Sequence, residues 1–219
     1  MASDYLDFLE WKQLSCLISI VGGLHFIIVT FLAMLFYPDG YSFTEDFLSY
    51  LGTENNVTTG SNNEISRILF IIACVGTGAS LIPFWIVIRT LFDDDSLTKF
   101  FSYFGSILGL ISAPFLMGIA IFPGDTQYIL HAYSARGFFL LFPAAILLYS
   151  FAMLLKKDYQ NIYSLIGFTF CIIIGLFLLG FYIQIAPILQ KIIFYSFIIW
   201  IIVQSIKIWK KIDSENINR

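Results

Sequence analysis

The chain has 219 residues, of which 58% are hydrophobic, 24 are phenylalanine and only 12% are charged. Soluble domains carry about 25% charged residues, so a water-exposed globule is excluded. A net charge of −3 with no basic arm excludes a nucleic-acid partner.

Six runs reach spanning length, at residues 14–37, 62–91, 100–122, 126–155, 162–185 and 190–208. Each supplies roughly the twenty residues that a helix needs to cross a hydrocarbon core of about 30 Å. Lipid offers no partner to bare backbone polar groups, so each run is predicted to be a helix. The fold class is therefore all-α, a polytopic membrane protein of six transmembrane helices in a single domain over 1–219. Asp4, Asp7 and Glu10 precede the first run where a signal peptide would carry basic residues, which predicts an uncleaved first helix. Cys16, Cys74 and Cys171 all lie inside apolar runs without metal-like spacing. They read as small buried hydrophobes, and no disulfide, metal site or cofactor is expected.

His25 falls near the middle of the first run. An ionisable group at the midplane is a functional candidate by default, although a histidine bonded to a neighbouring helix is the commoner arrangement. The first loop, 38–61, is the longest connection. Tyr37-Pro38-Asp39-Gly40 predicts a tight turn. Ser42-Phe43-Thr44-Glu45 matches a capping box and Gly52 offers a stop. Phe43, Phe47, Tyr50 and Leu51 then share a face, with Glu45, Asp46 and Ser49 opposite. This pattern predicts a short amphipathic helix near 43–51, lying in the interface as a partial lid. Asn56-Val57-Thr58 is an N-glycosylation sequon. Ser61-Asn62-Asn63-Glu64 reads as a second capping box, and Glu64 can pair with Arg67 one turn on.

Asp93-Asp94-Asp95 reads as a solvated turn. Gly105 and Gly109 form a GxxxG pattern that permits close helix approach, within the bundle or against a membrane-protein partner. Pro83, Pro114 and Pro143 should each loosen a helix and free a carbonyl. Asp125 follows Pro123-Gly124 and is expected to cap the fourth helix. From that start Gln127, His131, Ser134 and Ala135 share a face, while Arg136 points about 140° away from His131. Gln184 is expected near the end of the fifth helix, inside the membrane.

Lysine and arginine set the orientation. Lys12, Arg89, Lys99, Lys156, Lys157, Lys207, Lys210, Lys211 and Arg219 share the side of the termini, against Arg67, Arg136 and Lys191 opposite. That bias puts both termini in the cytoplasm. Trp11 and Trp209 at one boundary, with Tyr37, Tyr41, Tyr128 and Tyr133 at the other, suit interfacial aromatic belts.

The segments FLSYLGTENN, NEISRILF and DTQYILHAYSARGFFLLFPA resemble a prokaryotic six-span family known only as a domain of unknown function, of the DUF998 type. The layout over roughly residues 14–208 is also similar to the eukaryotic DRAM/Frag/Sfk family, some members of which act in autophagy or in remodelling lipid anchors. The resemblance aligns Ser49, Gly52, Thr53 and Glu64 with one motif. It aligns Asp125, Leu130, His131, Ala135, Phe142 and Pro143 with another. Asn63 departs from it, standing where the eukaryotic family usually has proline.

These readings converge on one candidate polar site at the outer surface of a cell membrane, made of Asp125, His131, Arg136, Glu64, Arg67 and Asp46. The predicted function is binding or handling of lipid head groups, with the arginines able to hold a phosphate or carboxylate. Alternatives are a small transporter or channel, or a non-catalytic scaffold. Two histidines cannot build a three-histidine zinc site, and neither HExxH nor GxSxG is present. No nucleophile can therefore be named, and whether the protein is an enzyme stays open at this point.

Overall fold

A computed structural model describes residues 2–93, 95–157, 159–180 and 183–217. Asp94 and Arg219 lie outside the described residues, as do the side chains of Asp4 and Asp7. The helices are α1 (Ala2–Leu35), α2 (Glu64–Arg89), α3 (Ser96–Ile121), α4 (Tyr128–Leu155), α5 (Asn161–Leu178) and α6 (Ala186–Ile217). Every one contains a stretch long and apolar enough to cross a membrane. The chain is an all-α, multi-pass integral membrane protein.

Consecutive helices pack side by side, and α6 returns to close the ring against α1. The first loop and the α3–α4 and α5–α6 connections share one face of the bundle, called here the first-loop face. The other face holds both termini. The outer surface is what lipid selects: Leu14, Val21, Ile28 and Leu35 repeat every seven residues down α1 and are 54%, 55%, 59% and 78% exposed. A stripe of that size in water would be an aggregation site.

Aromatic rings fill the centre. Trp85 is fully buried, with its ring 5.6 Å from Phe142, 5.8 Å from Tyr149 and 6.2 Å from Trp200. Such pairs contribute about 0.5–1.5 kcal/mol beyond their burial. Ser106 Oγ donates to the Trp85 carbonyl at 2.5 Å. Its single proton is thereby used, so the Tyr149 hydroxyl, 2.6 Å away, must be the donor to Ser106.

Gly105 and Gly109 do permit close approach, but inside the bundle. A Cβ on Gly105 would lie 2.9 Å from the Tyr149 ring, and one on Gly109 would lie 2.2 Å from the Trp85 ring. Both glycines are buried, so this face is not free for a membrane-protein partner. Helices α2, α3 and α4 run unbroken through Pro83, Pro114 and Pro143.

Several boundaries differ from expectation, and two of them have a clear local cause. Helix α5 stops at Leu178 and not at 185, because Gly180 adopts φ 76 and its N–H bonds the Phe177 carbonyl. Gln184 consequently lies exposed in a short 3-10 turn, Ile183–Ile185, outside helix five. Asp95 is a true N-cap. Its carboxylate accepts from the Leu97 and Thr98 N–H groups, and those bonds, Thr98's foremost, hold its carboxyl below the usual range.

Candidate functional site

The first loop supplies most of the site, so its local chemistry comes first. The turn at Tyr37–Gly40 forms as predicted, with the Gly40 N–H bonded to the Tyr37 carbonyl and Asp39 at φ 60. The Asp39 carboxylate accepts from the hydroxyls of Ser61 and Thr59, each at 2.6 Å. Those bonds, Ser61's first, hold the Asp39 carboxyl below the usual carboxylate range. Ser61 is therefore spent on Asp39 and does not cap α2.

The amphipathic helix expected near 43–51 is not formed. Ser42 Oγ accepts from the Glu45 N–H at 3.3 Å, which is half of a capping box. The chain then turns back, because the Asp46 carboxylate accepts from the Ser42 N–H at 2.7 Å and the Asp46 N–H donates to the Ser42 carbonyl. Only Leu48–Gly52 is helical, as a single 3-10 turn. Its Leu48 and Leu51, three residues apart and eclipsed in that geometry, are both fully buried, whereas Phe43 is 46% exposed.

Two anchors from elsewhere hold this loop down. Lys191 of α6 is 1% exposed and donates to the carbonyls of Asp46 and Pro187. Its ammonium sits 5.1 Å from the Tyr41 ring and 5.2 Å from that of Phe43, which substitutes for lost hydration. Burial, with the Asp46 charge adding, pushes the Tyr41 phenol well above its ordinary pKa, so it stays a donor to the Asp46 carbonyl. Gln190 Oε1 accepts from the Ser49 N–H.

The second anchor is Asp125. It does not cap α4: the N-cap is Gln127, and α4 begins at Tyr128. The Asp125 carboxylate instead accepts from the backbone N–H of Glu54 (3.1 Å to each oxygen) and of Asn55 (3.0 Å). Hydrogen bonds to a charged acceptor contribute about 1.5–3 kcal/mol when protected, and these are exposed to water. Asp125→Ala is expected to cost about 1–2 kcal/mol and to speed hydrogen exchange of the Glu54 and Asn55 amides. Unchanged exchange there would show that the loop is held without the carboxylate.

Asparagines complete the loop. Asn56 is 6% exposed; its Nδ2 donates to the Pro38 carbonyl, and its Oδ1 accepts from the Thr58 and Thr59 N–H groups. In the folded chain the sequon asparagine thus points inward and ties the loop to the Pro38 carbonyl. Asn63, 1% exposed, directs Nδ2 at the carbonyls of Thr53 (3.0 Å), Leu51 (3.2 Å) and Tyr50 (3.4 Å). The second capping box is replaced by Asn62, whose Oδ1 accepts from the Glu64 N–H.

Between the loop and the α3–α4 connection lies a cavity of about 230 Å³ lined by Ser49, Tyr50, Thr53, Val57, Gly124, Asp125, Tyr128 and His131. His131 Nδ1 lies 2.9 Å from the Phe122 carbonyl. A carbonyl only accepts, so Nδ1 carries the proton, and Nε2 is the ring nitrogen left for a ligand.

Residues 20–207 match the family described as Protein of unknown function (DUF998). The chain belongs to this family. No curated protein and no solved structure matches the chain.

Within this DUF998 chain, only Asp125 and His131 of the six candidate residues meet at the cavity. Glu64 is exposed, and Arg67 is half-buried with its Nε lacking a hydrogen-bond partner, so the expected Glu64–Arg67 pair does not form. Arg136 is exposed on another side of α4, and Asp46 is folded into its own turn. His25 is separate again, with its ring against Gly76 in a groove of about 600 Å³ between α1 and α2. Sequence reasoning missed Asn63, Gln190, Lys191 and Tyr128 as parts of the site or its supports, while Thr53 entered only through the family resemblance. Lysine inside an otherwise apolar run was the one legible signal among them.

Proposed function

We propose that this protein binds the polar end of a membrane lipid in the cavity beneath its first loop. The observation that supports this most is that His131, the Asp125 carboxylate and the tyrosines Tyr50 and Tyr128 line one cavity beside the start of α4. Pockets that enclose whole drug-sized ligands measure about 300–1,000 Å³. A cavity of about 230 Å³ therefore suits one end of a longer molecule. Its lining holds a carboxylate and no arginine or lysine. That balance favours hydroxyl- or ammonium-bearing head groups, the latter also welcomed by the faces of Tyr50 and Tyr128. It weighs against the arginine-held phosphate expected from sequence.

The reading is one of binding. Asp125 is engaged by backbone amides and Glu64 lies elsewhere, so no acid–base pair is assembled around His131. The transporter alternative gains no support, because the described centre of the bundle is packed with aromatic rings and not with polar groups.

His131→Ala in lipid nanodiscs is expected to weaken retention of an ethanolamine or glycerol head-group lipid about ten-fold, near the 1.5 kcal/mol of one hydrogen bond. Loss of the Phe122 contact should cost no more than about 1 kcal/mol of stability. Equal lipid retention by the variant, measured by native mass spectrometry, would remove the cavity from consideration.

The reading also places the first-loop face outside a cell membrane, supported by the basic excess on the termini face. Cysteine labelling with an impermeant reagent on intact cells should modify Thr58→Cys and spare Ser96→Cys. The reverse pattern would invert the orientation.

A further inference from the structure

On the termini face, α6 carries Lys207, Lys210 and Lys211. Positions i, i+3 and i+4 fall on one side of a helix, and here that side looks across at Lys156, which terminates α4, and at Tyr159. With Ser214 these groups line a cavity of about 330 Å³. Lys207 is not left to extend into water: its Nζ sits 3.2 Å from the centroid of the Tyr159 ring and 3.9 Å from that of Tyr163. Tyr159 is itself fixed, donating its hydroxyl to Gln204 Oε1 at 2.5 Å. The aromatic floor thus holds one ammonium in place, while exposed Lys210 and Lys211 flank it.

No carboxylate lines this cavity among the described residues. The nearby Asp213 accepts from Gln13 Nε2 at 2.7 Å and so ties α6 to α1. Like charges gathered at one cavity repel, and a lysine ammonium is a point-charge binder of phosphate. The cavity also lies at the C-terminal end of the apolar stretch Ala186–Ser214 of α6, and basic groups beside the end of a spanning helix attract anionic lipid head groups.

We propose that this cavity is a binding site for a phosphoryl anion, contacted by Lys207, Lys210 and Lys211. Two sources share that chemistry, an anionic lipid head group and a free phosphate in the aqueous phase. The site shares no residue with the first-loop cavity, so either proposal can fail without the other.

The test uses the full chain in two arms. In the first, nanodiscs of phosphatidylcholine with a minor fraction of phosphatidylglycerol are examined by native mass spectrometry for lipid retained on the protein. In the second, detergent-solubilised protein is titrated with inorganic phosphate and its thermal midpoint followed. Lysine-dependent retention of phosphatidylglycerol alone assigns the lipid head group; saturable phosphate stabilisation, with or without it, assigns the free anion. Lys210→Gln with Lys211→Gln should weaken the productive arm roughly thirty-fold, from about five-fold per cationic side chain at an anionic surface. Both side chains are exposed, so the double variant should fold, and the matching arginine pair should restore binding. Lys99→Gln, a charge removed elsewhere on this face, should change binding less than two-fold. The proposal is overturned if neither arm shows saturable binding, if the double glutamine variant binds as the wild type does, or if Lys99→Gln weakens binding as much as the double variant.

Discussion

Asn63→Asp is expected to destabilise the protein by about 3 kcal/mol or more, the cost of a buried carboxyl group facing acceptors it cannot satisfy. The substitution is nearly isosteric, so packing is unchanged and only chemistry differs. In the native protein Nδ2 has two protons and points at three carbonyl oxygens, of which Thr53 and Leu51 are the nearer. An ionised carboxylate there would face three acceptors at 1% exposure; a protonated one could answer a single carbonyl. Asn63→Ala should cost less, about 1–3 kcal/mol, since it removes the donor without adding a repelled group. Thermal unfolding in detergent, with limited proteolysis of the 38–61 segment, checks both. If Asn63→Asp unfolds with the wild type while Asn63→Ala does not, the amide contributes packing and not hydrogen bonding. Asn63 joins the first loop to the start of α2, so this loss should also open the cavity beside Thr53.

Gly109→Ala is expected to be among the most damaging single-methyl additions in the bundle. The new Cβ would lie 2.2 Å from two carbons of the Trp85 ring. A flexible side chain could step aside, but Trp85 is fully buried and wedged among Phe84, Phe142, Tyr149 and Trp200. Helices α2 and α3 must then separate, which breaks the Ser106 bond to the Trp85 carbonyl as well. Overpacking of a tight core typically costs about 1–3 kcal/mol, and the lost hydrogen bond adds about 1 kcal/mol. Gly175→Ala provides the contrast, because nothing lies within 4 Å of its added Cβ. Melting curves of the two variants should differ clearly; equal midpoints would mean that the α2–α3 contact is looser than it looks.

How far the candidate site was legible depends on the range of each signal. Asp125 and His131 could be selected because polar groups between two apolar runs stand out. The role given to Asp125 was wrong for a definite reason. A carboxylate just before a helix has a local partner in the first-turn amides, and sequence shows only local partners. Its real partners, the amides of Glu54 and Asn55, lie 71 and 70 residues away. The same limit explains the misplaced lid. Ser42 to Glu45 carries the correct residues for a capping box, yet Asp46 competes for the Ser42 N–H and closes a turn first.

By itself the sequence determined the class, the six spans and the family, because crossing hydrocarbon is a length and polarity requirement met within each segment. It also determined that Gly105 and Gly109 mark a close approach. Tertiary structure alone decided what they approach: Tyr149 and Trp85, not a second protein. It alone decided that Lys191 clamps the first loop and Asn63 fastens it to α2. Arg67 and Arg136 stay clear of the cavity for the same kind of reason. Lipid constrains each helix separately, whereas which polar groups meet at the ends depends on how the helices are arranged around one another.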